Sequence, residues 1–203
     1  IIITRMLDYT QTGLYTAAYK FFDILNFFPA SVSHVLFPVL AGLMAKNLIS
    51  DVKSTLEKYI KLMTAVALPL AVGGMLLAKP LMLLIAGNDF ADAAPTLSIL
   101  IWSVAILFIY IPVNSLIISQ LTKKAMLITG ANVIINIVGN IILIPIYGIK
   151  AAAIMTVVSE SLQGVFYFYF VRKNIADFKF FSILWKPLLA SGIMGLAVWQ
   201  VRE

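Results

Sequence analysis

The sequence contains no cysteine and a single histidine, and only 12% of its 203 residues are charged. Without cysteine there can be no disulfide, no thiolate metal site and no cysteine nucleophile, and one histidine alone cannot build a histidine metal centre. Glycine-rich phosphate loops, zinc-binding spacings and paired catalytic carboxylates are also missing from the sequence. We therefore predict no cofactor, no metal and no enzymatic activity.

Apolar residues dominate what is present. They make up 62% of the chain, and the mean hydropathy is +1.00, whereas a soluble domain is about half apolar and about a quarter charged. This composition predicts an all-α fold, a polytopic transmembrane helical bundle surrounded by membrane lipids. The net charge of +6 does not predict a nucleic-acid partner, because basic residues beside membrane segments set orientation instead.

Long apolar segments predict about six spans, preceded by an N-terminal helix stub and an outer turn in residues 1–13. The spans cover approximately residues 14–44, 59–78, 96–118, 126–146, 151–170 and 183–199. Residues 79–87 are also apolar, but they are too few to cross a bilayer, which takes about 20 residues. We expect residues 1–203 to form a single bundle, the C-terminal half of a longer transporter.

The connections between these spans are short, and several of them are basic. We expect a polar connection at residues 46–61, with Asp51 capping a short surface helix, and an outer loop at residues 88–95. A basic turn at 120–124, a tight turn at 145–148 and a basic connection at 172–186 complete the set.

Basic residues are distributed unequally between the two sides of this topology. Ten of the 15 lie after the first, third and fifth spans: Lys46, Lys53, Lys58, Lys61, Lys123, Lys124, Arg172, Lys173, Lys179 and Lys186. Because positively charged connections stay in the cytoplasm, this asymmetry predicts a cytoplasmic location for those connections and an external location for residues 87–95.

The first span carries a polar arc that a helix surrounded by lipid would not need. At about 100° per residue, the arc gathers Tyr15, Tyr19, Lys20, Asp23, Asn26, Ser31, Ser33 and His34. Charges inside a span normally face a protein interior or a wet cavity. Lys20 and Asp23 are close enough to form a structural ion pair, or Lys20 meets an anionic substrate while Asp23 tunes it. His34 is a helix-packing residue or a proton-titrating group for ion coupling.

Two later spans carry further polar residues. Asn132, Asn136 and Asn140 recur every four residues along one helix face, a pattern typical of interhelical hydrogen bonding or of a hydrophilic pathway. Glu160 lies in the next span and is a candidate ion-coupling carboxyl group. Pairing of Glu160 with Lys20 or with asparagine side chains would produce the same sequence pattern.

Three stretches, taken in order, resemble a known family. They are GLYTAAYK at residues 13–20 with Phe37-Pro38 after it, GNDFADAAPTL at 87–97, and NIVGNIILIPIYGIKAAA at 136–153. This set resembles the C-terminal half of polysaccharide-exporting, O-antigen-type lipid-linked oligosaccharide flippases, members of the multidrug/oligosaccharidyl-lipid/polysaccharide exporter superfamily.

The resemblance implies two helical bundles around a partly cationic cavity that is opened by alternating access. It implies flipping of a lipid-linked oligosaccharide across the cell membrane for surface polysaccharide biosynthesis, such as lipopolysaccharide or O-antigen export. Glycan polymerases or glycosyltransferases are then candidate partners. Lys20 matches the basic position of the family after the Ala-Ala-Tyr motif, so the resemblance places it in the cavity.

Other functions remain open at this stage. A drug or organic-cation antiporter of the same superfamily would need an acidic cavity, whereas the first span offers Lys20 beside Asp23. A membrane-embedded glycan polymerase or acyltransferase would need catalytic histidine, aspartate or arginine near the outer loops, and the single histidine, His34, lies inside a span. A purely structural membrane subunit is the remaining alternative.

Overall fold

The computed structural model describes residues 4, 6–175, 177 and 180–202. Within these ranges the chain forms seven α-helices and one 3₁₀ segment and contains no strand. The helices are α1 (Tyr9–Ala45), α2 (Ile49–Leu76), α3 (Ala78–Ala86), α4 (Ala94–Gln120), α5 (Thr122–Tyr147), α6 (Ile149–Asn174) and α7 (Phe180–Arg202), and the 3₁₀ segment is Asn88–Ala93. The prediction of an all-α fold is confirmed.

Five of the helical stretches in the described ranges are long and apolar enough to cross a membrane. They are α1, α2, the 3₁₀ segment together with α4, α5 and α6, and they coincide with the first five predicted spans. The chain is a multi-pass membrane protein. Helix α7 corresponds to the sixth predicted span. With 23 residues it is long enough for about 30 Å of hydrocarbon, although it is not one of these five.

Helix α4 lies at the centre of the bundle. Helices α1, α2 and α6 all pack against it, α5 packs on the far side of α6, and α7 packs on α2. In the most apolar part of the stretch that contains α4, 67% of the residues are buried, compared with 17% in the corresponding parts of α1 and α5. A helix that is apolar on every side belongs in such a position, and Leu100, Val113 and Leu116 of α4 are fully buried. Most of the surface of α1 and α5 therefore faces away from this bundle.

The predicted polar connection at residues 46–61 is wrong for most of its length. Helix α2 begins at Ile49, and only residues 46–48 link it to α1. Val52, Leu56 and Ile60 recur every four residues and are completely buried. Lys58, which lies between Leu56 and Ile60, is exposed, so charged residues in the sequence masked the buried face of the helix.

The start of each of the first two helices also differs from the prediction. Helix α1 begins at Tyr9, so no turn extends to Gly13. Asp8 is its N-cap and accepts a hydrogen bond from the backbone N–H of Gln11 at 2.7 Å. Asp51 does not cap α2, because the N-cap position belongs to Leu48. The predicted helix stub falls mainly on residues 1–3 and 5, which lie outside the described residues.

Two tight turns join α4 to α5 and α5 to α6. Leu121 alone separates α4 from α5, so the predicted basic turn at 120–124 is mostly helix. Gly148 alone separates α5 from α6, and its φ of +59° is a conformation that other residues rarely adopt. The turn predicted at 145–148 is confirmed at Gly148, while Pro145 lies within α5. This reversal places Asn132, Asn136 and Asn140, which we call the asparagine stripe of α5, beside α6.

Candidate functional site: a polar cleft between α1, α5 and α6

A cleft of about 580 Å³ opens between α1, α5 and α6. Its walls combine two tyrosines of α1 with the asparagine stripe of α5 and the polar face of α6. The lining residues are Tyr15, Tyr19, Asn132, Val133, Asn136, Ile137, Asn140, Ala152, Thr156, Ser159 and Glu160. We call this feature the polar cleft. It brings together six residues that the sequence singled out, namely Tyr15, Tyr19, Asn132, Asn136, Asn140 and Glu160.

The asparagine stripe links α5 to α6 by hydrogen bonds. Asn136 Nδ2 donates to Ser159 Oγ at 2.7 Å and to the carbonyl oxygen of Met155 at 3.3 Å. Asn140 Nδ2 donates to the carbonyl oxygen and to Oδ1 of Asn136, at 2.8 and 2.9 Å. Gly139 allows this close approach, because a Cβ at that position would overlap the side chain of Met155. The same asparagines therefore join two helices and line the cleft.

Two amide oxygens of the stripe have no hydrogen-bond donor. Asn132 Oδ1 and Asn140 Oδ1 are buried, and no donor within the described residues reaches either atom. A buried acceptor without a donor costs about 1–3 kcal/mol. Both residues line the polar cleft, so a small shift of α5 against α6 would expose these oxygens to hydroxyl groups that enter it.

Glu160 supplies the carboxyl group of the cleft. It lies on α6, partly buried, and accepts a hydrogen bond from Tyr110 Oη of α4. Tyr15, Tyr19 and Thr156 share the cleft with it, and no lysine or arginine lines these walls. No basic side chain among the described residues lies within 4.0 Å of Glu160, so the alternative in which Lys20 pairs with Glu160 is not observed.

A second hydrogen-bond network extends from the cleft towards the opposite end of α6. Asn132 Nδ2 donates to Gln163 Oε1 at 2.6 Å, and Gln163 Nε2 donates to Tyr167 Oη at 3.2 Å. Thr129 Oγ1 lies 3.0 Å from the same Tyr167 oxygen. This network holds the side chain of Asn132 in place, so the orientation of its free oxygen is determined by neighbours on both helices.

The charged residues of the predicted site that lie on α1 are outside the cleft. Lys20 and Asp23 are both exposed, and among the described residues no ion pair within 4.0 Å joins them. The alternative in which these two side chains form an ion pair is not observed in this bundle. His34 is likewise exposed, and Asn26 is partly buried with an Oδ1 atom that has no donor within the described part of the chain.

The rotation of α1 explains this division of its polar arc. Helix α1 turns Ala18, Phe22 and Pro29 towards the bundle, and all three are buried. Residues 100° further around the helix, such as Tyr19, reach the cleft, whereas Lys20 is carried past it to the outer face. The rings of Tyr15 and Tyr19 lie 5.6 Å apart and form the α1 wall.

Two site residues were not singled out from the sequence. Ser159 lies three residues after Thr156 and four before Gln163. These spacings place the three polar side chains on one face of α6, so helical periodicity would have found Ser159. Tyr110 gave no such signal, because it lies within an almost continuous apolar segment. No group of three or more metal-ligating side chains occurs in the residues searched, which are those described.

Comparison with known proteins identifies relatives over almost the entire chain. The family described as lipid II flippase MurJ matches residues 9–203. A probable low-salt glycan biosynthesis flippase, Agl15 of Haloferax volcanii, is 23% identical over 198 residues, which is 95% of this chain and 42% of that protein. A probable flippase of the same organism, AglR, is 20% identical over 206 residues, covering 99% of this chain and 43% of AglR.

A third relative, the membrane protein MJ1068 of Methanocaldococcus jannaschii, is 26% identical over 201 residues, which is 96% of this chain and 37% of that protein. The chain thus spans about two-fifths of the length of the curated relatives it matches. The matched family and two of these relatives are named as flippases, which are transporters and not enzymes. The predictions of a flippase family and of a non-enzymatic protein are confirmed at this level.

Proposed function

The chain belongs to the lipid II flippase MurJ family, and we propose that it forms one helical bundle of a flippase for a lipid-linked oligosaccharide. In this proposal the substrate moves from the inner to the outer leaflet of the cell membrane by alternating access. The product serves biosynthesis of a cell-surface polysaccharide, as in O-antigen-type export, and a glycan polymerase or glycosyltransferase acts as a partner. The observation that carries the proposal is the polar cleft between membrane-spanning helices.

The polar cleft would lower the free-energy cost of moving a sugar head group across the membrane. A sugar head group must pass through about 30 Å of hydrocarbon, and each hydroxyl group that leaves water needs a new hydrogen-bond partner. In this proposal the free oxygens of Asn132 and Asn140 accept hydrogen bonds once helix movement exposes them, and the hydroxyl of Thr156 is a further partner. The volume of about 580 Å³ lies in the usual range of small-molecule sites.

The charged linkage of the substrate needs a cation, and we assign that role to Lys20. The proposal places the pyrophosphate on the exposed face of α1, one residue beyond Tyr19 of the cleft. Asp23 lies on the same face and would neutralise Lys20 when no substrate is bound and the face is covered, since an unpaired buried charge is expensive. Pro29, Pro69 and Pro112 lie inside helices and would let those helices bend as access alternates.

Glu160 is proposed as the ion-coupling group. Its carboxyl group faces the cleft beside asparagine oxygens and has no basic partner within the described residues. Oxygen ligands of this kind suit a proton or a small cation. His34, the other residue considered for ion coupling, is exposed on α1 and does not line the cleft. We therefore assign ion coupling to Glu160 before His34.

One observation favours a second candidate function, organic-cation antiport. The ionisable carboxyl group of the cleft is acidic, and the cation Lys20 lies outside it. A cationic drug would therefore meet Glu160 first. The two functions differ in substrate charge, so a transport assay with both substrate classes separates them.

The experiment places a bulky side chain in the cleft of the full-length protein. Val133 lines the cleft and is 50% exposed, whereas its neighbour Ile134 is 63% exposed on another face of α5. We expect Val133→Trp to stop delivery of a lipid-linked oligosaccharide to the outer leaflet of reconstituted vesicles, with Ile134→Trp remaining active as the matched control. Transport of a cationic dye with no transport of the glycolipid would overturn the proposal in favour of the antiporter.

A further inference from the structure

A second groove, different in chemistry from the polar cleft, lies between α5 and α6 and meets the cleft at Asn132. Its volume is about 250 Å³, and its walls are almost entirely aliphatic and aromatic. Leu127, Ala131 and Ile135 of α5 form one wall, and Leu162, Phe166 and Phe170 of α6 form the other. The hydrogen-bonded pair of Asn132 and Gln163 lines the groove close to its inner end at Ile135 and Leu162. We call this feature the apolar groove.

The open end of the apolar groove is cationic. Lys124 lies at this end, with its Nζ atom 4.9 Å from the centroid of the Phe170 ring and 3.0 Å from Asn174 Oδ1. Both partners are neutral, and no carboxylate within the described ranges lies within 4.0 Å of this ammonium group. Lys123 and Lys173 are exposed at the same end, whereas the charge of Arg172 is matched by Asp177 at 2.7 Å.

We propose that the apolar groove binds one anionic membrane phospholipid, with the phosphate on Lys124 and one acyl chain between α5 and α6. The charge pattern supports an anionic head group, because basic side chains at the ends of transmembrane helices attract acidic lipids. The cation lies at the open end of the apolar groove, where the charged head group of a phospholipid would lie, and the apolar walls lie where its acyl chain would lie.

The length of the groove selects a phospholipid over a polyisoprenoid chain. Lys124 and Ile135 are eleven residues apart on α5, which corresponds to roughly 16 Å of helix. This is close to half of the hydrocarbon thickness of about 30 Å, the depth of one leaflet. A single acyl chain is accommodated in that length, whereas a long isoprenoid tail would extend beyond Ile135 at the inner end.

The test measures phospholipids that stay bound to the purified full-length protein. The protein is reconstituted in vesicles of equal phosphatidylglycerol and phosphatidylcholine, extracted in mild detergent, and weighed intact by mass spectrometry. We expect phosphatidylglycerol to be retained in preference to phosphatidylcholine. Lys124→Gln should lower the retained phosphatidylglycerol about fivefold, and Lys124→Arg should preserve it.

Two further variants separate head-group binding from chain binding. Ala131→Trp fills the groove but leaves Lys124 in place, and it should lower retention of phosphatidylglycerol as strongly as Lys124→Gln does. Lys150→Gln removes an exposed cation from the opposite end of α6 and should change nothing. Equal retention of both lipids by the unmodified protein, or normal retention by Lys124→Gln and Ala131→Trp, would overturn the proposal.

A competition arm distinguishes the phospholipid from the transported substrate. A polyisoprenyl diphosphate is added to the vesicles at the same mole fraction as phosphatidylglycerol. Continued retention of phosphatidylglycerol supports a phospholipid site. Its displacement by the isoprenoid, with loss of that displacement in Ala131→Trp, would assign the apolar groove to the substrate tail instead and overturn the proposal.

Discussion

Tyr110 on α4 donates a hydrogen bond from its phenolic oxygen to Glu160 Oε2 on α6. Tyr110 is only 4% exposed, and its ring packs edge-on against Tyr167 with 5.8 Å between centroids. The carboxyl group is therefore held from the packed centre of the bundle, while its other side faces the polar cleft. A change at Tyr110 should therefore alter the surroundings of Glu160 and leave the other residues that line the cleft in place.

The first prediction tests this contact with Tyr110→Phe in the full-length protein. The ring remains, but Glu160 loses its donor, so we expect the free energy of unfolding to fall by about 1 kcal/mol. Thermal unfolding in detergent measures the loss, and Tyr9→Phe, at a position that is 89% exposed, is the control. In the double variant with Glu160→Leu, which has no acceptor for Tyr110, the two losses should not add. Additive losses would show that the hydrogen bond contributes nothing.

The second prediction concerns the packing of α7 on α2. A Cβ atom at Gly195 would lie 2.7 Å from Val72 Cγ1, whereas one at Gly192 would meet no atom within 4 Å. Gly195→Val should therefore force the helices apart and lower stability by about 1–3 kcal/mol relative to Gly192→Val. Both variants make the same change in helix propensity, so the difference in their unfolding temperatures isolates the contact. Equal temperatures would contradict the observed packing.

The third prediction concerns orientation in the membrane. Asp51 at the start of α2 and Asp92 in the 3₁₀ segment are both exposed, so a cysteine at either position can react with a thiol reagent. The distribution of basic residues predicts that Asp51 is cytoplasmic and Asp92 external. In intact cells, an impermeant reagent should label Asp92→Cys and should label Asp51→Cys only after permeabilisation, in an otherwise cysteine-free protein. The reverse pattern would invert the topology.

Periodicity predicted the helices and one turn but not the ends of the helices. Gly148 was predictable because breaker residues end an apolar run there, and α4 because it is apolar throughout. The start of α2 was missed because the charged residues Asp51, Lys53 and Glu57 lie beside the buried residues Val52 and Leu56. A hydropathy average over that window mixes the two faces of one helix and assigns both to a loop.

The candidate site was predictable only where its residues share one helix. Asn132, Asn136 and Asn140 share a face by helical spacing alone. The contact between Tyr110 and Glu160 joins residues 50 positions apart, and no local pattern predicts such a pair. The position of Lys20 depends on how α1 is rotated against α4, which is set by the packing of both helices and not by either sequence segment alone.

The last prediction concerns Lys20, to which we assign the charged linkage of the substrate. Because Lys20 is exposed and has no ion-pair partner within 4.0 Å in the described bundle, Lys20→Ala should leave the stability of the bundle within about 0.5 kcal/mol. It should nevertheless lower export of the lipid-linked oligosaccharide at least about tenfold, since a hydrogen bond to a charged group contributes about 1.5–3 kcal/mol.

Two matched variants distinguish a role of the positive charge of Lys20 in export from a role of its side chain in packing. Lys20→Arg should retain part of the export activity, because the positive charge is kept. Asp23→Asn should keep the protein folded and inserted, as judged by its unfolding temperature and by its amount in the membrane. Normal export by Lys20→Ala would remove Lys20 from the site. Loss of export by Lys20→Ala together with loss of the folded protein would make Lys20 a structural residue, and the anionic linkage would then need another cation.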